Sequence, residues 1–198
     1  MTYEAKKYDH LLGLPGFSET LLKNHFTLYQ GYVTNTNKLK DILAAMSKEA
    51  KQGTPEFTEL KRRFGWEFNG MRLHEIYFGN LTKTHHIPNQ DSLLMKKITA
   101  EFGSFEAWEK DMRAVCAMRG IGWGVLYYEI FTGKLMNCWI NEHDVGHLTT
   151  CAPLLVLDVF EHAFLTDYGI KRAEYIEALF KVIDWPEIER RLQLVGGK

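Results

Sequence analysis

No apolar run in this sequence approaches the ~20 residues that a helix needs to cross a bilayer. Its start, MTYEAKKYDH, lacks the hydrophobic core of a secretory signal. Cysteine is scarce: Cys116, Cys138 and Cys151 are odd in number and show no CxxC spacing. That excludes a disulfide framework and a cysteine-built zinc site, and the three read as buried free thiols. Neither sign of charge dominates, since 24 Lys and Arg face 25 Asp and Glu for a net charge of −1. A nucleic-acid partner would require a basic patch that this balance does not supply. Repeats and low-complexity tracts are also missing. These absences set the expectations of a cytoplasmic chain with no membrane and no nucleic-acid partner.

What is present suits a globular protein. The 198 residues, 45% hydrophobic and 25% charged, can bury one or two cores. Ser18 is a good N-cap for a helix that starts at Glu19 and passes Tyr32 towards Ala50. Gln52-Gly53-Thr54-Pro55 breaks the chain, and a second helix follows over 57–78, weakened by Gly65 and Gly70. The polar segment 82–91 reads as a linker, with His85 and His86 in solvent. Two helices, 91–102 and 105–119, lead into short apolar stretches at 122–130, 135–140 and 154–158, rich in aromatic and β-branched residues. Thr132-Gly133 is a hairpin-type turn. A helix over 173–183 and a closing helix after Trp185-Pro186 end the chain. The expected class is α+β: a helical N-terminal hairpin domain (1–84), then a C-terminal domain (85–198) with a three-stranded antiparallel sheet packed by helices.

Three polar residues sit in apolar surroundings. His74 lies within FNGMRLHEIYF, where a lone histidine usually reads as a satisfied core residue. Asp158 follows LLVL, where an unpaired carboxylate is expensive. His162 comes four residues later, close enough to reach the same point. One metal ion would resolve the desolvation cost of all of them, and imidazoles with one carboxylate suit iron, manganese or zinc. A structural zinc site would more often contain cysteine.

The run DVFEHAFLTDY (158–168) resembles the signature of the iron/manganese superoxide dismutases. FNGMRLHEIYF resembles the segment that carries the family's second ligand. EFGSFEAWEKDM, GIGWGVLYYE and DYGIKRAEYIEALFKVIDW resemble its helix, first strand and closing helix, in the same order. The resemblance implies one iron or manganese ion per subunit, held by His25, His74, Asp158 and His162. It implies Tyr32 as the gateway tyrosine, Trp123 as a wall of the site, and a homodimer, with pairing into tetramers left open. Glu161 would bridge to the ligand histidine of the other subunit, and Tyr168 and Arg172 resemble interface residues.

Two departures stand out. Most of the family places an outer-sphere glutamine either four residues before the second ligand or in the loop before the last strand. Here the first position is Gly70, so the loop NEHDVGH must supply the group. His143 is the candidate, as in archaeal members, and Glu142 is the alternative. A histidine there is expected to alter metal preference. The first ligand usually stands eight residues before the gateway tyrosine, where this chain has Asn24. Spacing from Pro15-x-x-Ser18 favours His25, with one residue missing before Tyr32. At about 100° per residue, a separation of seven keeps both on one face of a regular helix. The usual histidine–tyrosine pair across the interface is lost at both ends, with Leu28 and Tyr29 at one and Leu165 at the other. A drier, differently gated channel is expected.

The activity so implied is disproportionation of superoxide to dioxygen and hydrogen peroxide. The alternatives are another metal-dependent oxygenase or hydrolase, and a catalytically silent scaffold of the same fold.

Overall fold

Capping chemistry sets where the first helices begin. In the computed structural model, which describes residues 2–196, the Ser18 hydroxyl accepts from the Leu21 N–H and opens α1 (Glu19–Lys48). Thr54 does the same for Phe57 at the start of α2 (Pro55–Gly79), with Pro55 in the first turn. α2 runs unbroken through both glycines. Each costs about 1 kcal/mol against alanine, but the helix buries Met71, Leu73, Tyr77 and Phe78 against its neighbours. α1 and α2 pack on each other, and α2 also packs on the sheet.

Ser92 and Ser104 cap α3 (Leu93–Phe102) and α4 (Phe105–Cys116), which are separated by Gly103 at φ +87°. α4 stops at Cys116, three residues short of the expected Arg119. β1 (Gly122–Glu129), β2 (Leu135–Asn141) and β3 (Cys151–Asp158) form an antiparallel sheet in the order β2-β1-β3. The central β1 is buried at every residue but its last, which explains its unbroken apolar run. At Gly124 a side chain is excluded, because a Cβ would lie 2.6 Å from Cys116 Sγ on α4.

β3 starts three residues before Leu154, taking in Pro153. Proline gives no ladder N–H, and two features tolerate it: β3 is an edge strand, and the register slips between Leu126 and Tyr127. Past β3 the chain makes a 3-10 turn (Glu161–Ala163) and the short α5 (Leu165–Tyr168), both too brief to show a periodicity. α6 (Arg172–Phe180) and α7 (Trp185–Gly196) complete the fold. Among the described residues, no helix is long and apolar enough to cross a membrane.

A buried polar knot fastens α2, β3 and α7. Fully buried Asn80 donates to the Val156 carbonyl at 2.6 Å and accepts from Arg191. The same guanidinium donates to the Leu154 carbonyl at 2.9 Å. Replacing Asn80 by alanine strands the Val156 carbonyl and one guanidinium N–H. The expected cost is about 1–3 kcal/mol, read as a lower urea midpoint at unchanged slope.

Candidate metal centre

Four elements bring one donor each to a single point. α1 is unbroken from end to end, so His25 and Tyr32 do share a face. His25 is 2% exposed, whereas Asn24 points to solvent. α2 delivers His74, which is fully buried. Asp158 is the last residue of β3, and its Oδ1 accepts from the Phe160 N–H at 2.9 Å. That bond folds the chain back, so His162 returns to Asp158 through a turn and not along a helix.

The donor atoms of His25, His74, Asp158 and His162 all lie within 4.8 Å of one another. Asp158 Oδ2 is 3.1 Å from His25 Nε2, 3.2 Å from His162 Nε2 and 3.7 Å from His74 Nε2. Burial opposes the charge on Asp158, but His162 and His25 outweigh it and hold the carboxyl well below its usual range. Burial pushes both His25 and His74 down, so these rings stay neutral; for His74 the neighbouring His25 adds to the effect.

Protons on His25 and His162 would satisfy Oδ2 with no ion at all. His74 is different. Its Nδ1 stands 2.6 Å from the Gly70 carbonyl, which can only accept, so the ring hydrogen sits there. Nε2 then presents a bare lone pair towards a carboxylate oxygen, buried and with no hydrogen-bond partner. An acceptor facing an acceptor in a dry site is costly. A cation removes that cost, and a backbone bond on the far nitrogen is the usual support of a metal-ligating histidine. The residues fit a metal ion.

Aromatic rings close the surroundings. Tyr32 stacks on His74, with ring centres 5.1 Å apart, and Trp123 meets the same ring edge-on at 5.0 Å. Phe78 covers His25 at 4.9 Å. His143 is fully buried, and burial lowers its pKa to about 4. The Trp123 indole N–H donates to His143 Nδ1 at 3.1 Å. The single hydrogen of the neutral ring is therefore on Nε2, where it donates to the Tyr32 hydroxyl at 2.7 Å. Burial first, then Asp158 and Glu67, raises the Tyr32 phenol to about 12. Tyr32 is thus a protonated phenol that receives one hydrogen bond and keeps its own O–H.

Other expected residues fall elsewhere. Glu142 lines an outer groove with Arg62, Arg63 and Asp144. Tyr168 donates to the Gly16 carbonyl at 2.5 Å, and Arg172 caps the carbonyls of Met118, Gly120 and Val159. Tyr168 and Arg172 each hydrogen-bond within their own chain. Glu161 is exposed beside His162. His85 and His86 approach the Lys181 carbonyl and Asp184 at 3.4 and 4.0 Å, outside the cluster.

Sequence reasoning missed three contributors. Trp66 meets His143 at 4.6 Å between ring centres; its spacing with Gly70 and His74 at i, i+4 and i+8 was the available signal. Phe160 stacks on both His143 and His162, at 4.9 and 5.2 Å. Tyr175 donates to the Asp158 carbonyl at 2.7 Å, and only the tertiary fold brings it there.

Comparison with known proteins gives the family. Residues 90–191 match the family model described as iron/manganese superoxide dismutases, C-terminal domain. A superoxide dismutase [Fe] from Aquifex pyrophilus is 36% identical over 96% of this chain and 92% of its own length. A superoxide dismutase [Mn] from Haloferax volcanii is 32% identical over 98% and 96%. One labelled [Fe] from Sulfolobus acidocaldarius is 30% identical over 90% and 87%. The chain belongs to the iron/manganese superoxide dismutase family.

Gly70 offers a test of the inner packing. A Cβ there would lie 2.6 Å from Tyr32 Cδ1, so Gly70→Ala must displace the ring and its bond to His143. Losing a hydrogen bond of about 1 kcal/mol predicts a fall in turnover of roughly fivefold. Rates measured at equal metal content check it.

Proposed function

We propose that this chain is a superoxide dismutase whose metal is held by His25, His74, Asp158 and His162. The observation that carries the reading is the bare, buried Nε2 of His74 facing Asp158 across 3.7 Å. When bound, a redox-active iron or manganese ion would alternately accept and donate one electron, converting two superoxide ions and two protons to dioxygen and hydrogen peroxide. The protein's share is placement, exclusion of bulk and proton supply. Phe78, Tyr32 and Trp123 crowd the donors, which favours a small substrate over the organic one that an oxygenase or hydrolase needs. Tyr32, held protonated, supplies a phenolic hydrogen next to the cluster. His143 has its only N–H committed to Tyr32, so its outer-sphere role runs through that phenol. Glu142, turned to the outer groove, takes no part.

The relatives carry both iron and manganese in their names, and either ion suits a set of three imidazoles and one carboxylate. We extend the reading to a homodimer in which the exposed Glu161 reaches the partner's ligand histidine. Tyr168 and Arg172 are proposed for the same interface, each also hydrogen-bonded within its own chain. The division into a helical part (1–84) and a sheet-bearing part (85–198) is proposed on the same basis, as is a cytoplasmic location.

Removal of metal by a chelator should abolish dismutation. Reloading with iron and with manganese separately, followed by elemental analysis and assay, should restore one ion per chain and activity with at least one of them. Full loading with each metal and no activity would favour the silent scaffold instead.

A further inference from the structure

We propose that His147 is a positioning residue for the reaction, fixing His143 through its main chain. The loop that carries His143 is tight and strained. Asn141 N–H donates to the Val145 carbonyl at 3.1 Å, and Glu142 adopts φ +55°. For a non-glycine residue that left-handed conformation persists only when its surroundings enforce it. His147 supplies the enforcement. Its Nε2 lies 2.7 Å from the His143 carbonyl oxygen, an acceptor only, so that nitrogen carries the hydrogen. The other nitrogen, Nδ1, then accepts from the Tyr127 hydroxyl at 2.9 Å.

Tyr127 is 2% exposed on the central strand β1, the strand that also carries Trp123. One imidazole thereby ties the backbone of His143 to the same rigid strand that fixes the His143 ring. The side chain is held by Trp123 and Tyr32, and the main chain by His147 and Tyr127. The two anchors together leave Nε2 of His143 aimed at the Tyr32 phenol. Asn69 Nδ2 on α2, next to Gly70, also approaches His147 Nε2, but at 3.4 Å, and the shorter 2.7 Å contact to the carbonyl fixes that nitrogen as the donor. His147 itself is not in the donor cluster, so it acts through His143 and not on substrate.

The turnover arm of the test rests on the dismutase reading; the second readout does not. His147→Leu removes both bonds, and His147→Gln keeps an N–H donor. His147→Leu should lower kcat at least fivefold with little change in KM, and His147→Gln should recover much of the loss. Independently, proton–nitrogen NMR of the chain loaded with zinc, a diamagnetic stand-in, reads the Trp123 indole N–H, assigned with Trp123→Phe. That signal should move in His147→Leu and return in His147→Gln. If the leucine variant is slower but its Trp123 signal is unmoved, or if neither changes, the proposal is overturned. Should His147→Leu fail to fold, Tyr127→Phe decides. It removes the donor that sets the His147 tautomer and should move both readouts in the same direction; no movement would also overturn the proposal. If the wild-type chain is inactive with iron and with manganese, the dismutase reading fails while the NMR arm still judges His147.

Discussion

A fully buried carboxylate faces three imidazole nitrogens, and one of those nitrogens cannot be given a proton. Everything around the centre follows from that constraint. The Gly70 carbonyl locks the His74 tautomer, and burial with the neighbouring His25 keeps the ring from gaining a second hydrogen. Asp158 stays ionised in a place where an uncompensated charge is expensive. A cation held there would turn these unfavourable terms into ligand bonds. The fold provides the stiffness that such a site needs: two long helices, the end of an edge strand, and a turn closed by the aspartate's own second oxygen.

Around this core, the hydrogen bonds run in one direction. Trp123 gives to His143, His143 gives to Tyr32, and Tyr32 retains a hydrogen of its own. An imidazole with a single hydrogen cannot serve two acceptors, so histidine at this position makes Tyr32 the sole outlet of the chain. The placement of His143 then matters more than its acidity. That explains why its loop is fastened at both main chain and side chain.

Much of this was legible in the sequence, for identifiable reasons. Ser18, Thr54-Pro55, Ser92 and Ser104 are strong local signals, and the helices start within a few residues of where they point. The apolar run of β1 marked a strand, and the strand's burial accounts for the run. What stayed hidden was tertiary. The apolar stretch at 154–158 did not show the first three residues of β3, where an edge position and a slipped register accommodate Pro153. Tyr175 reaches Asp158 from seventeen residues away along the chain, a contact that no periodicity predicts. Arg172 resembles an interface residue in the sequence, and its bonds to three carbonyls of its own chain, at Met118, Gly120 and Val159, are set by the tertiary path.

The most direct measurement of the central claim is the metal content of the purified chain beside that of His74→Leu, with folding of both checked by circular dichroism. The account predicts one iron or manganese ion per wild-type chain and little or none in the folded variant. A folded His74→Leu chain that holds its metal as tightly as wild type would contradict it.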